Sequence, residues 1–588
     1  MKKTTPQTER AKAHGFLQGA MILTLGVLAV KLMGALFKIP LTWIIQEDGM
    51  GYFTTAYSFY SPVYSLAAAG FPVAISRMVS LYATGKRYGD VRQVHRVSIP
   101  VFLFTGTLGM AVMLAGAGWY TAAVGNPGAV YCMLALAPAV LFSCLSSIYR
   151  GYYEGLRNMA PTAISEILES LCRLVLGLSA SWGVLKWGLE EYRSFGTVLG
   201  VKADSLAEAR AFLLPLAAAG AVAGVTVGSL ASFLFLLLRH RSRGDGISQR
   251  MLRSVPKPAS GRKIALELIK TALPIGVGAV AVNISGLVDA TFLQARIRHI
   301  LTVDAAGLFR LYEGMIPAYN LENPETIPNF LFGCYANAHT LFMLIPAVTQ
   351  AFGVSALPNV TAAWSEGNPK KLRRSIENVI RVTSVFSLPA GIGMAVLAEP
   401  IVGLLYGNRP AAPIVAGVLP IMAIAAVFAS MSTPLQSMLQ AAGRADIPVK
   451  LLAAGLVLKT ALGYWLTGMT RWNIAGAAIG TLACYFLMMV GSLISLRRVT
   501  GVMPGLGRVF LRPLAAACLC GISAKGVELL LETVLPDPRL CALLAIGVAG
   551  LVYALSLLGT GAVSSREIIS LPGVQKIAKI LEKRHGIE

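Results

Sequence analysis

Gly70 to Gly85 read GFPVAISRMVSLYATG, and about 282 positions further on Gly353 to Gly367 read GVSALPNVTAAWSEG. Each copy opens and closes on glycine, carries an early proline (Pro72, Pro358), and is followed by a basic loop. An apolar stretch containing Gly-Met-Ala-Val comes next, at 109–112 and 393–396. Gly155, Arg157 and Pro161 then match Gly443, Arg444 and Pro448, and Arg173 and Gly177 match Lys459 and Gly463, at shifts of 286 to 288. Self-similarity at a fixed spacing marks a chain built from repeated units. Each half holds six apolar stretches. Six is even, so both copies would enter a bilayer in the same direction, related by a pseudo-twofold along the membrane normal.

Composition puts these stretches in lipid. Of 588 residues 55% are apolar and 13% charged, with mean hydropathy +0.66, against roughly 25% charged residues in soluble domains. Fourteen runs, from 15–45 and 52–84 through 129–149, 327–350 and 372–404 to 540–562, reach the 17 to 25 residues or so that a spanning helix needs. Runs of this length exclude the short alternating strands of a barrel. The expected fold class is an all-α polytopic membrane protein of about 14 transmembrane helices. It would comprise an N-terminal lobe (1–240), a basic linker (241–263), a C-terminal lobe (264–498), two further helices (499–562) and an amphipathic tail (563–588) lying on the inner surface.

The net charge of +23 would suit a nucleic-acid binder if it were spread over a soluble surface. Here 33 of the 51 Lys and Arg residues fall on the side occupied by the N-terminus, ten on the other and eight inside spans. That bias orients the chain with both termini in the cytoplasm of a bacterial cell. The richest segment, Arg239 to Lys263, then serves topology or anionic lipid head groups rather than nucleic acid. The first apolar run is too long for a cleaved signal and should stay as a helix. The eight cysteines show neither disulfide nor zinc spacing, and no GxxxxGK[ST] loop or Ser-His-acid set is present. We expect no enzyme, no resident metal or cofactor, and an energy source in a membrane potential, Na+ or H+.

The eight intramembrane cations are Lys31, Lys38, Arg77, Arg173, Lys270, Arg381, Lys459 and Lys525. A charge at membrane depth costs roughly 2.5 to 3.5 kcal/mol on insertion scales, so such residues face a watery cavity or a partner. Lys31 and Lys38 are seven residues apart, about 10 Å along one helix face. They can address one anionic cargo, or they pair or snorkel. Arg173 has Glu166 and Glu169 seven and four residues before it, the spacing of an internal ion pair. Arg77 and Arg381 lie towards helix ends, Lys270 is interfacial, and Lys525 reads as a local pair with Glu528. Asp289 is the main isolated acid in a span: a proton or sodium site, a partner for a lysine, or a pair with Arg296. The external segment 298–328 is long enough to form a gate or a saccharide contact.

Several motifs carry a family likeness: KLMGALFKIP (31–40), AAGFPVAISRM (68–78), QAFGVSALP (350–358), IVGLLYG (401–407), QAAGRADIP (440–448), and Lys459 within LVLKTALGYWL. In this order they resemble the polysaccharide-flippase branch of the MOP exporter superfamily, most closely its stage V sporulation protein B and MurJ-type lipid II flippase group. The resemblance implies alternating-access movement of an undecaprenyl-pyrophosphate-linked saccharide across the cytoplasmic membrane, through a cationic cavity between two six-helix lobes. It also implies a lipid-accessible groove shaped by helices 13 and 14, and a monomer or a loose associate of cell-wall synthesis proteins. Substrate binding is expected of Lys31, Lys38, Arg77, Arg173, Lys459 and His339. Where the family pattern has an arginine in helix 8 this chain has His339, and Tyr64 falls near the matching helix 2 arginine. A cation-coupled multidrug exporter of the same superfamily, and a flippase for another polysaccharide unit, are the alternatives.

Overall fold

A computed structural model describes residues 6–253, 258–505 and 507–560. The described segments are predominantly helical, with one two-stranded hairpin, Thr197–Val198 with Val201–Lys202. The first nine helices are α1 (Pro6–Tyr64), α2 (Gly70–Thr84), α3 (Tyr88–Val124), α4 (Ala129–Gly155), α5 (Ala160–Phe195), α6 (Leu206–Arg243), α7 (Gln249–Arg253), α8 (Gly261–Val303) and α9 (Ala305–Leu311). The remainder are α10 (Ala318–Glu322), α11 (Ile327–Ser365), α12 (Pro369–Val396), α13 (Ala398–Tyr406), α14 (Ala412–Ala441), α15 (Asp446–Thr467), α16 (Asn473–Thr500), α17 (Arg512–Glu532) and α18 (Pro538–Gly559). Among the described residues 13 stretches are long and apolar enough to cross a membrane. The first, Ala29–Thr84, folds back at Gln46, whose φ of 57° breaks α1, so it supplies two of the fourteen expected crossings.

Lipid offers the backbone no hydrogen bonds, so each crossing must satisfy its own amides. Proline is tolerated where a local adjustment absorbs it. Ahead of Pro72 the chain passes through a π-helical stretch, Ser65–Ala69, between α1 and α2. Gly70 follows, where an added Cβ would lie 2.1 Å from the Ala272 carbonyl oxygen of α8; only glycine admits this approach.

The chain divides into two compact units, Met1–Thr340 with Thr460–Ala477, and Leu341–Lys459 with Ala478–Glu588. Within the first, α5 and α6 cross on glycines. A Cβ on Gly224 would meet the Gly177 Cα at 2.4 Å, and one on Gly228 the Glu169 carbonyl oxygen at 2.6 Å. With Gly220 these residues form the small-xxx-small stripe that lets membrane helices approach. Within the second, α17 packs on α12 and α18 on α13, and the Tyr553 hydroxyl donates to the Val385 carbonyl at 2.6 Å. The expected Lys525–Glu528 pair is present at 2.8 Å.

Two expectations are corrected. The segment 298–328 is not an open loop: α8 runs on to Val303, and α9, α10 and a short 3₁₀ turn, Pro324–Thr326, fill the rest. The run 372–404 is not one helix either, since it breaks at Leu397 between α12 and α13. The amphipathic tail 563–588 lies outside the described residues. Large apolar side chains are exposed on the helices, Phe104, Ile522 and Leu530 among them, as a lipid-facing surface requires. Trp43, Trp119, Trp187, Trp465 and Trp472 are exposed within nine residues of the turns at 46–51, 125–128, 196–205 and 468–472. Strict alternation of crossings puts those turns on one side, whereas Trp364 ends α11 on the other. Tryptophan prefers such interfacial positions.

Candidate substrate-binding site

The first unit brings Lys38 of α1 and Arg173 of α5 together. Arg173 sits within electrostatic reach of the Lys38 ammonium. Its guanidinium carbon lies 5.8 Å from the Phe37 ring centroid, and it lies within electrostatic reach of the Tyr57 hydroxyl. The same guanidinium passes Gly34, where a Cβ would lie 3.7 Å from its Nη2. Both cations are half-buried. No carboxylate is bonded to either among the described residues, and the buried Nε of Arg173 has no hydrogen-bond partner.

The internal pair expected for Arg173 is corrected by α4. Arg150 donates through Nη2 to Glu169 at 2.8 Å and to Ser232 at 2.8 Å, and through Nε to Ser165 at 3.0 Å. Ser229 donates to the other oxygen of Glu169 at 3.1 Å. Glu169 is therefore occupied, and Arg173 faces the ring stack instead. That stack runs along one face of α1, Phe53 to Tyr57 at 5.0 Å, Tyr57 to Tyr60 at 5.5 Å and Tyr60 to Tyr64 at 5.6 Å between centroids. Tyr64 lies within electrostatic reach of Arg150. A column of phenols thus connects an unneutralised Lys38–Arg173 pair with a neutralised Arg150–Glu169 pair.

Other candidates are dispersed. Lys31 is half-buried on the Lys38 helix, Arg77 is exposed on α2, and Lys459 is 5% exposed in the second unit. Asp289 of α8 accepts from the Tyr335 hydroxyl of α11 at 3.2 Å, and Tyr335 stacks with His339 at 6.2 Å. Arg296 does not pair with Asp289; its guanidinium lies over Tyr464 at 4.5 Å.

A second polar centre, at the tryptophan-rich end of the first unit, has no charge pattern to announce it. The Asn126 amide donates to Asn329 at 2.7 Å, Thr55 at 3.1 Å and Gln294 at 3.2 Å. Asn329 donates to the Asp48 carbonyl at 2.9 Å, and Asn320 to the Asp48 carboxylate at 3.2 Å. Four segments far apart in sequence are tied together there. Neutral Asn, Gln and Thr read as ordinary polar residues until the fold buries them.

The family model described as "Polysaccharide biosynthesis protein" matches residues 16–207, and that described as "MatE" matches 333–465. "Lipid II flippase MurJ" of Bacillus subtilis (strain 168) is 24% identical over 497 residues, covering 82% of this chain and 83% of that one. "Stage V sporulation protein B" of the same organism is 22% identical over 525 residues, with 87% and 89% covered. Two solved structures share the fold. "Lipid II flippase MurJ, inward closed conformation" has a TM-score of 0.60 at 13% identity, over 91% of this chain and 98% of that one. "Inward-facing conformation of a multidrug resistance MATE family transporter of the MOP superfamily" also has 0.60, at 16% identity over 81% and 98%. In sequence and in fold the chain resembles proteins of the MOP superfamily. That likeness agrees with the all-helical multi-pass architecture and with a flippase or transporter of the MOP type.

Proposed function

We propose that this chain is a flippase for an anionic polyprenyl-pyrophosphate-linked saccharide, with lipid II as the preferred cargo, in a bacterial cytoplasmic membrane. The observation that carries the reading is the Lys38–Arg173 pair. Two half-buried cations of like sign stand together with no carboxylate bonded to them among the described residues, and a polyanion relieves that repulsion. Pyrophosphate oxygens suit both: a guanidinium offers a planar fork of donors and an ammonium a compact point charge. Tyr57 and the rings beside it supply faces and hydroxyls for the first sugar. Curated relatives named as a lipid II flippase and a sporulation protein support the cargo class.

A cytoplasm at negative potential favours outward movement of an anion, by about 2.3 kcal/mol per charge for each 100 mV. The membrane potential is therefore the energy source this reading selects, and no bond is made or broken by the protein. Lys38→Ala and Arg173→Ala should each abolish exposure of lipid II at the outer leaflet in cells depleted of their own flippase, with the variants present at normal level. Lys38→Arg should retain most of it. Full rescue by both alanine variants would remove the basis of the proposal, and rescue of drug efflux instead would select the exporter alternative.

A further inference from the structure

At the arginine-rich end of the first unit, away from Lys38 and Arg173, a cavity of about 380 Å³ opens between the start of α3 and the end of α6. His95 and His240 stack across it with ring centroids 4.7 Å apart and planes 22° apart. Tyr149 meets both imidazoles edge-on, at 5.2 and 5.4 Å. The Tyr153 hydroxyl lies 3.2 Å from His240 Nδ1 and also donates to the Gly244 carbonyl. The buried Nε2 of His95 has no hydrogen-bond partner.

The one carboxylate in the wall, Asp245, is fully engaged. It accepts from Arg92 Nε at 3.0 Å, Arg92 Nη2 at 3.2 Å, Tyr152 at 3.0 Å and the Ile247 amide at 3.0 Å. Arg92 cancels its charge. The surplus is cationic: Arg96 is exposed on the rim, Arg241 lies within reach of Tyr149, and Arg239 sits over Tyr153 at 5.8 Å. No group of three metal-ligating side chains exists among the described residues, so the imidazoles do not form a metal site. On the same face of α3, Ile99 and Leu103 follow Arg96 at three and seven residues, 40% and 48% exposed. The face changes from cationic to apolar in about two turns, roughly 10 Å.

We propose that this groove binds the phosphate head group of an anionic phospholipid of the inner leaflet, with Arg96 and His95 as donors and an acyl chain lying along Ile99 and Leu103. Positive charge for a phosphate, a buried imidazole nitrogen with no hydrogen-bond partner and an adjoining apolar strip together suit an amphiphile. A free inorganic anion would have no use for the strip. The lipid is a resident, distinct from the cargo, so the inference stands apart from the flippase reading.

The test uses the full chain in a neutral detergent. Short-chain phosphatidylglycerol, phosphatidylcholine with the same chains and inorganic phosphate are titrated separately, with bound lipid counted by native mass spectrometry and melting temperature followed in parallel. Phosphatidylglycerol should bind and raise the melting temperature while the other two do not. Arg96→Ala should weaken it about fivefold, the effect of losing one cation near an anionic lipid. His95→Phe, which keeps the ring stack, should weaken it as well. Arg374→Ala, an exposed cation of the second unit, and Lys38→Ala should change nothing. Equal binding of phosphatidylcholine, a melting shift with phosphate alone, or equal losses in Arg96→Ala and Arg374→Ala would each overturn the proposal. A loss in Lys38→Ala would move the lipid to the cargo site and overturn it too.

Discussion

Arg150 shows how a single residue redistributes the charges around it. Its side chain is 14% exposed and that of Glu169 26%. Removing one partner of so buried a pair leaves an uncompensated charge, at a cost of about 3 to 5 kcal/mol. Arg150→Met should therefore melt far below the parent in detergent, while Arg150→Met with Glu169→Leu should recover most of the loss; a double variant no better than the single would refute the pairing. Asp245 makes a pH-dependent case outside the spans. Burial pushes its carboxyl up, but the bonds from Arg92, the Ile247 amide and Tyr152 outweigh that and hold it below its ordinary value. A depressed carboxyl contributes stability above its unfolded value, near 4, and loses that contribution as pH falls through the folded one. Asp245→Asn should thus lower the melting temperature at pH 7 and flatten its decline below pH 5; parallel curves for the two proteins would count against the assignment. Neither role was readable from spacing. Arg150 stands one position past the apolar run 129–149, and Glu169 lies four residues before Arg173, an intrahelical distance that concealed an interhelical partner.

Helices were the legible level. Their apolar lengths announced fourteen runs, of which the first two fall in one stretch bent at Gln46, whereas the break at Leu397 within the run 372–404 was not legible. The turn at Gln46 was legible, because Gln46, Glu47, Asp48, Gly49 and Gly51 separate the apolar runs 15–45 and 52–84. The buried amide knot was hidden, since Asn126, Gln294 and Asn329 are 168 to 203 positions or 35 apart, and only the folded helices bring them together. Contacts between elements make sharper predictions than the elements themselves. Gly224→Ala places a methyl 2.4 Å from the Gly177 Cα, and backbone cannot yield as a side chain can. That variant should fail to accumulate in the membrane, whereas Gly118→Ala, which meets nothing within 4 Å, should express as the parent does. Comparable yields for the two, measured by immunoblot of washed membranes, would show that α5 and α6 have slack at their crossing.

At the scale of the molecule, alternating crossings would set the turns that bear exposed tryptophans opposite the arginine-rich segment 239–263. The charge bias bears on which side faces the cytoplasm, whereas indoles favour both interfaces and mark only a boundary. Five of the seven indoles lie near a single leaflet boundary. Reconstituted into sealed vesicles, the protein thus carries its own optical compass. An impermeant iodide quencher added outside should extinguish most of the ultraviolet emission when insertion is cell-like, and far less of it when insertion is inverted, with no dye or tag attached.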